Sequence, residues 1–527
     1  MYAASENGHV SGSSVPTTRT AEVHARIRSS LAYWELKHKV REEILKGTSP
    51  ADTIRKELPE LVQGLGFEPE LQRLIESTAA TIIPAQSPLQ SKQNASTSTS
   101  TSSPSPSIRA QAQTLWESRL AASLQVVARE QLSPFIRQRR SHSRPHPRER
   151  FDDGSEWAPV RPAWTPSDLL ELLSRCHEGN AALISPWRMV AVPVAVPTTA
   201  ALRECMYALR PACRQWGWDE QSRPSWADES CKVGRRAIAT GTVAAAREYS
   251  LYGLPPSLRC SLWMQMLGVV VDARGLLEFE QLQGALDSWE LLSDDLVLLD
   301  TLAIGNDPSY FIFEAFVTTV ALCLSRDPRL RSLCSAAVTP PLVSSRSGSL
   351  SAPFPPSGFV PGEGWALLVA PLSYVCRTEA EAFHLHRALF ARYWCKLQVV
   401  NCEGGILSLC VLAEDLFQRA APSACYHLIQ LGIPPLSLMF PWLSNAFASY
   451  LEPAQCLQLW DRVVAFDRLD ILAVAAAAIL DFRKTALESC EDREQVDALI
   501  TDMSTVSIVP LLQDFLFSQP DEIGGSL

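Results

Sequence analysis

Apolar residues along most of this chain recur three or four positions apart, the spacing that lines one face of a helix. Between 21 and 80 the sets Ile27, Leu31, Trp34 and Leu36, Val40, Ile44 follow it. "KGTSPAD" (46–52) interrupts them, Gly47 suiting a helix stop and Pro50 a fresh start. A short helical pattern covers 110–132, and from Pro166 it resumes in "PSDLLELLSRC", "TTAALRECMYALR" and "GTVAAAREYSLY". "PWRMVAVPVAVP" (186–197) is β-like, but its three prolines demote it to an extended loop or a sheet edge. Beyond Leu251 nearly every segment predicts helix. In "TEAEAFHLHRALFARYWCKL" (378–397), Thr378 and Glu381 read as a capping box. Phe383, Phe390, Trp394 and Leu397 join Leu385, Leu389 and Tyr393 on one broad apolar face. "ILAVAAAAIL" (471–480) has half the length of a bilayer span and predicts a buried helix. The 32 uncharged residues between Arg419 and Glu452 include Gln430, Pro434, Pro435, Pro441 and Asn445, which suit a buried helical core better than a membrane. The pattern therefore predicts an all-α fold without a transmembrane segment.

Two stretches leave this pattern. "SPLQSKQNASTSTSTSSPSPS" (87–107) has almost nothing to bury and predicts a disordered tether open to phosphorylation. "RQRRSHSRPHPRER" (137–150) carries six arginines, two histidines and one acid. Prolines punctuate it and no amphipathic face exists, which favours a solvated linker over a lipid or RNA patch or a targeting signal. The resulting organisation is an N-terminal helical segment (21–80), a low-complexity and basic linker with one short helix (84–155), a helical region (166–250), a helical domain (251–486) and a helical tail (487–527). A length of 527 residues agrees with two or three units.

Composition narrows the functional classes. A net charge of -10 argues against a nucleic-acid binder built on bulk charge. No apolar run follows a basic start, so a cytoplasmic location is expected, with peripheral attachment to endomembranes or to a protein through the N-terminal region. The 14 cysteines include no Cys-x-x-Cys pair and are expected to be reduced core residues. His384 and His386 are two apart and face different ways on a helix, which disfavours paired metal ligation. Gly358, Gly362 and Gly364 lack the lysine that a phosphate loop requires. No Gly-x-Ser-x-Gly elbow or His-Glu-x-x-His motif is present, and no metal or cofactor is expected. Spacing and composition alone end at a soluble, mostly helical, interaction-type protein.

The order of several motifs says more. "GLPPSLRCSLW" (253–263) carries an Arg-x-x-x-Trp as Arg259 and Trp263. "GIPPLSLMFPWLSNAFASYL" (432–451) holds Trp442 and Phe447, and "LQLWDRVVAFDRLDILAVAAAAIL" (457–480) holds Leu459, Trp460 and Asp461. As an ordered set over 251–486 these resemble the TBC domain, the all-helical domain of Rab GTPase-activating proteins. The tail "SIVPLLQDFLF" (507–517) and the helical N-terminal half are similar to the subfamily numbered nineteen in the TBC series.

The resemblance implies binding to GTP-loaded Rab proteins and two side chains offered to hydrolysis: an arginine from Ile-x-x-Asp-x-x-Arg and a glutamine from Tyr-x-Gln. The arginine neutralises charge on the transferring phosphoryl group, and the glutamine orients water. In this chain "VLLDTLA" (297–303) puts Val297 and Asp300 in register but Ala303 at the arginine place. Gly275 to Ser325 holds nine acids and no Lys or Arg. "GFVPG" (358–362) keeps the aromatic as Phe359 and puts Pro361 at the glutamine place. Losing the arginine alone should raise the barrier by about 4–7 kcal/mol.

The expectation is a Rab-binding regulator of vesicle traffic with no catalytic residue of its own, a pseudo-GAP. Arg259, Trp263, Asp300, Phe359 and Glu363 are the motif or Rab-interface candidates, with Arg259 and Trp263 leaning toward scaffold and Phe359 suiting either core or interface. Asp300 is expected to order a helix end or to pair with Arg259. Trp442, Trp460 and Asp461 are structural. Two alternatives stand: a working GAP that relies on the Rab's own glutamine or a borrowed cation, for which 137–150 is the dense arginine source, and a helical scaffold with no GTPase partner.

Overall fold

The computed structural model describes residues 108–131, 134–138, 162–176, 188–190, 192, 194–305, 312–334, 342–344 and 351–518. The segment 21–80, the Ser/Thr/Pro tract and most of the arginine run lie outside the described residues. The main helices in chain order are α1 (Ile108–Glu130), α2 (Pro166–Arg175), α3 (Pro256–Leu267), α4 (Ala273–Ser288), α5 (Asp294–Gly305), α6 (Glu314–Arg326), α7 (Glu379–Leu389), α8 (Ile406–Ala420), α9 (Pro435–Ser444), α10 (Pro453–Phe466), α11 (Asp470–Phe482) and α12 (Ile508–Phe517). Shorter helices join them, so the fold is all-α. Its strands are brief: β1 (Ile136–Gln138) pairs antiparallel with β2 (Trp289–Leu291), and β3 (Leu342–Ser344) with β4 (Ser351–Pro353). The β-like stretch at 186–197 is extended loop in its described residues. No helix of the described chain is long and apolar enough to cross a membrane.

Helix α11 sits at the centre. Every side chain from Ile471 to Leu480 is at most 1% exposed. Its run of alanines lets α8 lie close along one side, while α12 and α9 cover others. Burying each Leu, Ile or Val there contributes about 1.5–3 kcal/mol. The segment 378–397 folds nearly as its pattern predicts. The Thr378 hydroxyl accepts from the Glu381 amide at 3.2 Å. The Glu381 carboxylate reaches one residue further than a capping box, to the Arg377 amide at 2.9 Å. After Leu389 the helix widens into a π turn, Phe390–Trp394. There Phe390 packs edge-on to Phe359 with ring centroids 4.9 Å apart.

A buried polar lock joins α3 to α10. The Arg259 guanidinium donates twice to the Asp461 carboxylate, at 2.9 Å each, and Trp263 Nε1 donates to it at 3.0 Å. Trp460 donates to the Ala446 carbonyl at 2.8 Å and stacks near Trp394 at 4.9 Å. Trp442 is buried with Phe447 at 5.9 Å. Removing one member of such a pair strands a charge and typically costs about 3–5 kcal/mol. A second lock closes the cation-poor stretch. Arg326, the first base after it, is fully buried against Asp294 at 2.5 Å and donates to the Trp289 carbonyl at 3.1 Å.

The residues N-terminal to the helical domain form part of the same body. Arg119 on α1 pairs with Asp168 and Glu171 on α2, at 2.5 and 3.3 Å. Trp116 and Trp164 meet edge to face at 5.6 Å, and Phe135 lies 5.2 Å from Phe354. One turn before Trp116, the Gln113 side-chain carbonyl accepts from the amide of Val400 at 2.8 Å.

Candidate functional site

Helix α5 positions the first expected finger. Leu296, Val297, Leu298, Thr301 and Ile304 are buried, so the helix face carrying residues 300 and 303 turns toward the surface. Ala303 is exposed. Asp300 is partly exposed as a residue, yet its carboxylate is tucked beneath the turn at 364–366. It accepts from the Gly364 amide at 3.0 Å and from those of Ala366 and Trp365. It therefore caps the short 3-10 helix Ala366–Leu368 and does not pair with Arg259, which Asp461 holds. Burial pushes the Asp300 carboxyl up to about 7, against those three amides and with help from the Glu363 carboxylate.

A cavity of 350 Å³ opens at this point. Asp300, Ala303, Glu363 and Gly364 meet Asn445, Ser449 and Tyr450 there, with Pro166 and Ser167 at its edge. None of the residues lining it is Lys or Arg. The segment that brings Asn445, Ser449 and Tyr450 to the cavity has unusual backbone: Ala446, Phe447 and Ser449 have φ of 47°, 65° and 68°. Left-handed residues of this kind cost roughly 1–3 kcal/mol each and need surrounding structure to hold them. The Trp460 hydrogen bond to Ala446 and the Phe447 amide bonded to the Trp442 carbonyl at 2.8 Å do so. Gly364, at φ 89°, has Asn445 2.9 Å from where a Cβ would stand.

The second expected finger is placed differently. Phe359, Val360, Pro361 and Gly362 are all buried. Trp164 lies over them, its Nε1 donating to the Val360 carbonyl at 3.0 Å while the Glu363 amide donates to the Trp164 carbonyl at 3.1 Å. A Cβ on Gly362 would come within 2.2 Å of the Trp164 ring. The cavity left between this loop, Trp116 and Trp164 is only 30 Å³, about one water. The segment before α2 thus seals residues 358–362 while residues 363–364 reach the larger cavity.

Comparison with known proteins points to the same family. Residues 351–487 match the family model of the Rab-GTPase-TBC domain. Human "TBC1 domain family member 19" is 29% identical over 518 residues, covering 94% of this chain and 97% of that protein. The chain is similar to the TBC domain family. A crystal structure of the Chlamydomonas flagellar RabGAP TBC domain aligns with 62% of this chain and 97% of its own, at 16% identity and a TM-score of 0.39.

The matched part of the TBC domain begins at β4, so Arg259, Trp263, Asp300 and Ala303 precede it. The Arg259–Asp461 pair and the Asp300 cap tie those residues to the matched part. Of the interface candidates, Asp300 and Glu363 share the cavity, whereas Arg259, Trp263 and Phe359 are buried elsewhere. Sequence reasoning missed Trp164, Asn445 and Tyr450. A signal for Trp164 exists: it stands directly before Thr165 and Asp168, which form a complete capping box on α2.

Proposed function

We propose that this chain binds GTP-loaded Rab GTPases through its TBC domain, over about 251–486, and regulates vesicle traffic without lending either finger to hydrolysis. The observation that carries this reading is the lining of the 350 Å³ cavity, where Ala303 stands beside two acids and no Lys or Arg. Phosphoryl transfer needs a preorganised cation where charge develops, and a carboxylate at that place repels it. Arg326 is committed to Asp294 inside the protein and supplies none. At the second position Pro361 has no carboxamide and lies in the loop sealed by Trp164.

Single-turnover GTP hydrolysis and nucleotide-dependent binding, measured together across a Rab panel, test this. The expected result is binding that prefers the GTP form, with stimulation below about a hundredfold at micromolar protein, because a supplied arginine is worth about 10³–10⁵. Stimulation at or above that level overturns the reading, and equal or absent binding to both nucleotide forms favours a scaffold.

One observation favours a borrowed cation as the second reading. The arginine run starts in β1, where Arg137 pairs in register with Glu290, and the β2 strand leads straight into α5. If stimulation is found, substituting Arg137, Arg139 and Arg140 by Ala should abolish it.

A further inference from the structure

We propose that Cys260 and Cys376 form a peroxide-responsive dithiol, in which Cys260 is oxidised first and Cys376 resolves it to an intramolecular disulfide. Their sulfurs lie 4.0 Å apart although 116 positions separate them in sequence. A disulfide needs about 2.05 Å, so the two sulfurs must approach by about 2 Å for the bond to form. Cys260 sits in the first turns of α3 and is partly exposed, whereas Cys376 is buried in the turn two residues before the Thr378 cap of α7. The Cys376 amide donates to the Leu372 carbonyl at 2.9 Å, which fixes the conformation of that turn.

The two thiols differ in the way an attacking and a resolving cysteine differ. The contact with the Cys376 sulfur holds Cys260 below the ordinary thiol range, with help from the Arg377 guanidinium and against burial and the Glu381 carboxylate. The same contact, burial and Glu381 push Cys376 up. A partly exposed thiolate beside an arginine and a second thiol is the setting in which cysteine oxidation is selective. The Cys260 thiolate attacks hydrogen peroxide, its S–O bond forms as the O–O bond breaks, and hydroxide leaves. The Cys376 sulfur then attacks the Cys260 sulfenic acid. The S–S bond forms, the S–O bond breaks, and water departs with the Cys376 proton. Two thiols and one peroxide give one disulfide and two waters, the dithiol supplying both electrons.

A neighbouring pair provides an internal contrast. Cys334 and Cys395 also hydrogen-bond, and burial and the Asp327 carboxylate help push Cys334 up as Glu381 does Cys376, but the other thiol, Cys395, is fully enclosed where Cys260 is partly exposed. Exposed Cys205 has no thiol partner at such a distance among the described contacts and reports general oxidation.

Treating the full-length protein with hydrogen peroxide, blocking free thiols and mapping tryptic peptides without reductant tests the proposal. The expected product is a cross-link between the Cys260 and Cys376 peptides, reversed by dithiothreitol and formed at least about tenfold faster than any other cysteine pair, as its thiolate character dictates. C376S should remove the cross-link and leave a dimedone-reactive Cys260, and C260S should remove both signals. Circular dichroism establishes that each variant is folded. If the folded wild-type protein shows Cys205 oxidised and no Cys260–Cys376 cross-link, the proposal is overturned. Equal formation of a Cys334–Cys395 cross-link also overturns it, because selectivity would then be absent.

Discussion

Positions 303 and 361 differ in what surrounds them, although each holds a residue that the TBC resemblance does not lead one to expect. Ala303 is exposed on α5 and borders a cavity of 350 Å³. Pro361 is buried in a loop that Trp164 clamps from above by donating to one carbonyl and accepting from one amide. Under the proposed function the first lacks only the side chain, whereas the second lacks side chain and access, because Trp164, from the segment before α2, packs over it. The lesson is that a missing functional group and a blocked functional position are separate states, and only coordinates distinguish them. They also predict different responses to repair.

The largest effect should come from removing the clamp. Trp164→Ala deletes an indole that is 7% exposed, together with its bond to Val360, and large aromatic truncations in cores cost about 3–5 kcal/mol. Denaturant unfolding should show that loss, and protease digestion should cut first near Gly358, as the α1–α2 unit loosens. A loss below about 1 kcal/mol would mean that Trp164 merely rests on the loop, and the contrast between the two positions would disappear.

Next is Asp300, the residue that links both positions by capping the 364–366 turn from α5. Asp300→Ala leaves buried amides unpaired and should cost about 1–3 kcal/mol. Its titration adds a pH signature. The folded pKa is about 7, above the unfolded carboxylate value, so between about pH 4 and 7 the folded state holds a proton that the unfolded state has released. The Asp300 contribution is therefore fully present at low pH and is lost as pH rises toward 7, by at most about 1.4 kcal/mol per pH unit. Asn accepts the same amide bonds without titrating. In urea titrations from pH 5 to 8, D300N should gain stability relative to wild type as pH rises. Parallel curves would mean that Asp300 ionises normally and that the cavity is wetter than its geometry implies. Glu414, raised to about 7 by burial where it accepts from Met189, contributes a second slope of the same sign that D300N leaves untouched.

Much of this architecture was readable from pattern. The unbroken aliphatic run at 471–480, every residue of which is buried, identified α11, and the capping pair at Thr378 located a helix start to the residue. The ordered motifs placed Asp300 and Ala303 on one helix and Glu363 on a loop, but not that all three border one cavity. That juxtaposition depends on Asp300 reaching 64 positions along the chain to the Gly364 amide. The Trp164 clamp spans 196 positions and comes from a tryptophan in a Pro-rich connection, where no period exists to reveal a buried face. The left-handed turn at 446–449 was equally hidden, since Ala, Phe and Ser carry no local signal for positive φ. Local physics wrote the helices; long-range packing wrote the site.

The smallest change in stability should accompany the most informative repair. Ala303→Arg adds a side chain at an exposed position facing open space, so folding free energy should move by no more than about 0.5 kcal/mol. Asp300 and Glu363 are near enough to hold the new guanidinium at the cavity mouth. Under the proposed function A303R should raise Rab GTP hydrolysis about tenfold or more over wild type, a fraction of what a complete arginine finger gives because no glutamine accompanies it. P361Q should give nothing by itself, because a glutamine there remains beneath Trp164. Combining P361Q with W164A frees the loop at the cost of the clamp, and only that pairing should let residue 361 add to A303R. If P361Q alone matched A303R, the loop would open unaided, and position 361 would be vacant in the same sense as position 303.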